Sequence, residues 1–119
     1  VFSELNEKTV NFALDIRKNH TFASIVITNV IEDEDKETAK YLSIVRSQGV
    51  ILFDKDITEI NFKRHFKKSQ IIFFIINKDK NTCLEQSINV ADRYKDRSNT
   101  FLYTFVCGNE SEMALNKFV

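Results

Sequence analysis

The segment Ile71-Ile72-Phe73-Phe74-Ile75-Ile76 is apolar at every position. Its β-branched and aromatic residues favour an extended chain, and its length suits a strand while falling far short of a bilayer. Successive side chains of a strand point to opposite faces, so a run without polar gaps needs cover on both sides. A parallel sheet between two helical layers supplies that cover. Phe73 and Ile75 are expected to face one layer, and Phe74 and Ile76 the other.

Working outward, strand-like and helix-like stretches alternate. Val1-Phe2-Ser3 reads as the end of a first strand. Residues 6–19 carry Val10, Ala13, Leu14 and Ile16 near helical spacing, with Asn6 or Ser3 placed to cap and Glu7 in the first turn. Residues 22–30 (FASIVITNV) read as a second strand. The acidic run Glu32 to Asp35 precedes a helix over 36–47, with Ala39, Leu42, Ile44 and Val45 inside and Gly49 as its C-cap. Residues 50–53 read as a third strand, 56–69 as a short amphipathic helix on Ile60, Phe62 and Phe66, and 71–76 as the fourth strand. A long helix over 82–95 is expected to turn Leu84, Ile88, Val90 and Ala91 inward. A fifth strand comes next over 101–107, then a further helix from Glu110 to Val119.

This alternation predicts an α/β fold: a doubly wound, Rossmann-like parallel sheet of about five strands with helices on both faces. The expected order is 3-2-1-4-5, all parallel, with right-handed crossovers.

At 119 residues the chain suits a single domain over 1–119, and 43% hydrophobic content supports a real core. Lys plus Arg equals Asp plus Glu at 17 each, which argues against a general nucleic-acid or anionic-membrane binder. One local basic surplus exists, Lys63-Arg64-His65 with Lys67-Lys68; the commoner reading of such a run is a solvated helix face, the other an anion or lipid-headgroup patch. Cys83 and Cys107 form no CxxC pair, and with only His20 and His65 to join them they read as thiols of a reducing compartment, Cys107 in the core. Neither His has an identifiable catalytic partner, so both are expected at the surface. The sequence shows no signal peptide and no membrane-length apolar stretch. It opens without Met, and Val1-Phe2 reads as the tail of a strand already under way, so a piece of a longer protein is expected.

In doubly wound sheets ligands sit beyond the carboxyl ends of the strands. The residues expected there are Ser3, Glu4, Leu5 and Asn6 after the first strand, Thr28 and Asn29 after the second, Asp56, Ile57 and Thr58 after the third, and Asn77, Lys78 and Asp79 after the fourth. The first loop holds no Gly, so its backbone is ill suited to approach a pyrophosphate, and Glu4 and Glu7 repel phosphate. Leu5 is the natural plug of the crevice. The plain reading of these Asp, Asn and Thr residues is that they are turn and cap residues, Asp56 capping the helix after it.

Lys55-Asp56-Ile57-Thr58, with a short helix, an apolar strand and then Asn77-Lys78-Asp79-Lys80-Asn81 after it, resembles the N-terminal domain of the potassium-transport regulators (RCK, or TrkA-N, domains). In that family a Gly-Asp-x-Thr turn comes after the third strand; here Lys55 replaces its Gly. Asp79 and Asn81 match the family's next loop loosely. The Gly-rich loop is missing, and Thr28-Asn29 stands where a ribose-binding carboxylate is usual, with Glu32 or Asp33 nearby. The resemblance implies a non-catalytic regulatory, ligand-sensing domain that pairs with its own kind. It also implies a cytoplasmic setting, an attached membrane module in the full-length protein, and NAD or another nucleotide as the family's ligand, with that binding weakened or lost here. No metal and no nucleic-acid partner is expected.

Two other readings differ in class. A response-regulator receiver matches the length and places Asp54 near the phosphoacceptor position, but lacks the acidic pair for Mg²⁺ after the first strand and the Lys after the fifth. A protein–protein assembly domain needs only a crevice filled by its own side chains. A hydride-transfer enzyme would need the Gly loop.

Overall fold

The computed structural model describes residues 1–31, 35–109 and 112–118, with the backbone alone from residue 106 onward. It is a mixed α/β molecule. In chain order the elements are α1 (Glu7–Asn19), β1 (Val26–Ile27), α2 (Lys36–Ser47), β2 (Ile51–Leu52), a 3-10 turn (Ile57–Glu59), α3 (Phe62–His65), β3 (Ile71–Asn77), α4 (Lys80–Tyr94), β4 (Thr100–Asn109) and β5 (Glu112–Phe118).

The strands form two small sheets. In one, β1 and β2 run parallel; in the other the order is β3-β4-β5. Phe2 bridges them, pairing in parallel with Ile27 on one side and Phe74 on the other. Its N–H donates to Val26 O at 2.8 Å, and its carbonyl accepts from Thr28 N at 2.9 Å. Phe74 N donates to Val1 O at 2.7 Å, and Ser3 N to Phe74 O at 3.0 Å.

β3 has the parallel neighbours expected of it, and its side chains divide as the alternation requires. Phe73 and Ile75 join one core cluster, with Phe62, Cys83, Val90, Tyr94 and Leu102. Ile76 and half-buried Phe74 join the other, with Phe2, Val10, Ala13, Ile27, Leu42 and Val45. Aromatic rings carry much of both. Phe73 lies 4.8 Å from Tyr94 and 5.7 Å from Phe62 between centroids. Phe2 stacks on Phe74 at 5.0 Å.

Four expectations are corrected. The sheet is not all parallel: β5 runs antiparallel to β4, with a register shift between Val106 and Asn109, so 112–118 is a strand and not a helix. An antiparallel return closes the far edge of β4, which would otherwise present unpaired backbone groups. The second and third strands shrink to two residues each, because the strand that joins β1 to β3 is paired only through Phe2. Residues 56–69 hold a 3-10 turn and one short helical turn, although Ile60 and Phe62 are buried as expected. On α4, Leu84 and Ile88 are exposed at 46% and 70%, while Gln86 and Ser87 turn inward. The reason is polar: Ser87 Oγ lies 2.7 Å from Thr104 Oγ1, and Gln86 meets Asn77 and Asp56, so the sheet end that α4 covers calls for hydrogen-bonding side chains. Ala39 of α2 is likewise exposed.

Helices α1 and α2 begin and end near where the sequence puts them. Asn6 caps α1 in a capping box: Thr9 N donates to Asn6 Oδ1 at 3.0 Å and Asn6 N to Thr9 Oγ1 at 2.9 Å. Asp35 caps α2, and Gly49 stands just past its C-cap at φ +69°. No described helix is long and apolar enough to cross a membrane.

Candidate functional site

The loops chosen by topology do converge. Ser3, buried at the end of the Phe2 bridge, donates from Oγ to Asn77 Oδ1 at 2.6 Å and accepts from Ile76 N at 2.9 Å. Asn77 donates from Nδ2 to Gln86 Oε1 at 2.6 Å. Gln86 in turn donates from Nε2 to Asp56 Oδ2 at 2.9 Å. The other oxygen of Asp56 accepts from Thr58 N at 2.9 Å and Thr58 Oγ1 at 2.8 Å. Asp56 therefore caps the 3-10 turn and also anchors a side-chain chain running from the first loop to the third.

A second branch runs toward α1. Asn6 Nδ2 donates to Ile76 O and to Glu4 Oε2, each at 2.9 Å, and Lys78 N donates to the same Glu4 oxygen at 3.2 Å. Thr28 is buried and donates to Phe2 O at 2.9 Å, with Ser3 O at 3.1 Å. Asn29 has φ +55°, a conformation Asn tolerates better than most residues, and donates its N–H to Lys55 O at 2.7 Å. Asp79 caps α4 through Thr82 N at 3.0 Å and Thr82 Oγ1 at 2.6 Å, and those donors hold its carboxyl below the usual range. Among the described residues, every buried side-chain nitrogen and oxygen has a partner.

The structure thus joins Ser3, Glu4, Asn6, Asn77, Lys78 (by its backbone), Asp56 and Thr58 in one network. Ile57 is not part of it; it is buried in the core. Leu5 is not the plug either. It packs against the cluster that holds Val10, the N′ and N4 positions of a hydrophobic staple on α1. The crevice is filled by polar side chains instead. Gln86 is the residue that sequence reasoning misses. Its signal is a polar pair, Gln86-Ser87, lying inside the stripe formed by Cys83, Val90 and Tyr94.

Around this network, Asp54 is exposed and borders a depression of about 590 Å³ with Val30, Ile31, Arg46, Leu52 and Phe53. His20 and His65 are exposed, as expected. Cys83 is buried, with Sγ 3.7 Å from Asn77 O and 3.6 Å from Phe105 O. The side chain of Cys107, the acidic residues Glu32 to Glu34, and residues Glu110 and Ser111 lie outside the described residues. No group of His, Cys, Asp and Glu able to hold a metal occurs among the described residues.

A second opening lies at the opposite end of the molecule. A cleft of about 360 Å³ lies at the amino ends of the strands, between the turn at Phe22–Ser24 and the turn at Phe66–Gln70, with Val1 and Ile72 at its floor. Comparison of the chain with protein-family models, with curated proteins and with solved structures finds no match.

Proposed function

We propose that this chain is a non-catalytic regulatory, ligand-sensing domain of RCK-like, doubly wound design, with dinucleotide binding weakened or lost. In this reading the two small sheets act as one through Phe2, in the order β2-β1-Phe2-β3-β4-β5. The observation that carries it is the hydrogen-bonded chain Ser3–Asn77–Gln86–Asp56, which spans the carboxyl edge from the first loop to the third. A ligand seated there has to replace those bonds, so the site favours a small polar ligand over a pyrophosphate. Glu4 strengthens the argument: its carboxylate sits between Asn6 and Lys78 N, at the helix N-terminus where a phosphate would otherwise be held.

Calorimetric titration with NADH and ATP tests this. The expected result is no binding, or binding much weaker than micromolar. A dissociation constant near 1 μM, about 8 kcal/mol, would overturn the reading.

A specific observation favours a second reading, an assembly domain. Leu84 and Ile88 stand one turn apart on the outer face of α4 and are both exposed. Self-association that Leu84→Ser with Ile88→Ser abolishes, while no small ligand shifts the carboxyl-edge resonances, would favour assembly over sensing.

A further inference from the structure

The whole-chain charge balance conceals a basic surplus at one end. Every described parallel strand points its carboxyl end to one side of the molecule, where Glu4, Glu7, Asp35, Asp54, Asp56 and Asp79 are interspersed with Lys8, Lys36, Lys55, Lys78 and Lys80. The turns at the amino ends carry Lys18, Arg64, Lys67 and Lys68, all exposed or half-buried. The carboxylates on these same turns are Asp15, Asp92 and Asp96, and Asp92 is already paired with Lys95 at 3.3 Å. Helix dipoles explain Lys18, in the last turn of α1. They do not explain Lys67 and Lys68, which come after a helix of four residues.

Within that basic rim stands Phe22, 99% exposed. The turn bearing it is locked in place. Arg17 Nη1 donates to Thr21 O at 2.8 Å and Ala23 O at 2.6 Å, gripping the carbonyls on both sides of Phe22, while Nε reaches Gln48 O at 3.1 Å. The facing turn is locked the same way: Arg97 Nη2 donates to Phe66 O at 2.8 Å and Ser69 O at 2.6 Å. Two arginines thus fix the two walls of the cleft, one wall presenting an aromatic ring and the other a pair of lysines.

We propose that this amino edge docks on an anionic lipid bilayer, with Phe22 entering the interfacial region and Lys18, Lys67 and Lys68 lying at headgroup level. A single ring held outward among flexible ammonium groups suits a bilayer, which accepts an isolated apolar side chain at any point and supplies diffuse negative charge. An acidic protein partner would call for a broad apolar contact around the ring, as stable interfaces have. The locked turns mean that little ordering is needed on contact.

Vesicle flotation of the full chain tests the proposal, using phosphatidylcholine vesicles with and without phosphatidylserine, at low and high salt. Binding is expected only with phosphatidylserine and is expected to weaken with salt. Phe22→Ser should reduce partitioning roughly tenfold or more, and each of Lys67→Glu and Lys68→Glu by about fivefold or more. All three side chains are exposed, so circular dichroism should match the parent chain. Absence of binding to phosphatidylserine vesicles overturns the proposal. So does equal binding to neutral vesicles, or binding indifferent to Phe22→Ser.

Discussion

Replacing Asn77 with Leu tests whether the carboxyl-edge network holds the fold together. The side chain is 1% exposed, so the substitution is felt entirely in the interior. It deletes the bond from Ser3 Oγ and the bond to Gln86 Oε1, both 2.6 Å. The Ser3 hydroxyl proton and the Gln86 carbonyl oxygen are then stranded in buried positions, at about 1–3 kcal/mol each. Burying the new apolar side chain recovers roughly 1 kcal/mol. The net loss should be about 1–5 kcal/mol, a large part of the ~5–15 kcal/mol that holds a domain of this size folded. The double variant Asn77→Leu with Gln86→Leu leaves Asp56 to find water at its half-buried position, so it should cost less than the sum of its singles, with a coupling of about 1–2 kcal/mol. Urea unfolding monitored by far-ultraviolet circular dichroism measures all four corners of the cycle. A loss below about 1 kcal/mol for Asn77→Leu, or a coupling near zero, would refute the idea that the two amides act as one unit.

The aromatic core yields a further expected outcome. Phe73→Ala should destabilise by about 3–5 kcal/mol, since a ring of zero exposure between Phe62 and Tyr94 leaves a cavity its neighbours cannot fill; a loss under about 1.5 kcal/mol in the same urea assay would show the core collapsing freely.

The centre of the fold is legible in the sequence and its margins less so. Ile71 to Ile76 is readable because an apolar residue at every position leaves a strand no face to expose. Residues 22–30 mislead because β-propensity speaks where pairing decides: Phe22 points into water, and the ladder lasts only as long as a partner lies alongside. The candidate site is legible through topology, which brings loop ends together whatever their composition. Gln86 escapes because helical periodicity weighs apolar residues, while the sheet end beneath α4 offers Asn77 and Thr104. Equal totals of acid and base suggest a neutral surface. Only the common direction of the strands shows that the turns at their amino ends carry a basic surplus.

The bridge at Phe2 bears on how the chain comes to be folded during synthesis. Ser3 finds its partner at Asn77, 74 residues later. At roughly 5–20 residues per second, about 4–15 s pass between making the two. Through that interval Phe2 has β1 to meet but not β3, so its second edge stays open. Of these strands, the one made first is thus among the last to be completed, and the nascent chain carries a half-finished sheet until Phe74 leaves the ribosome.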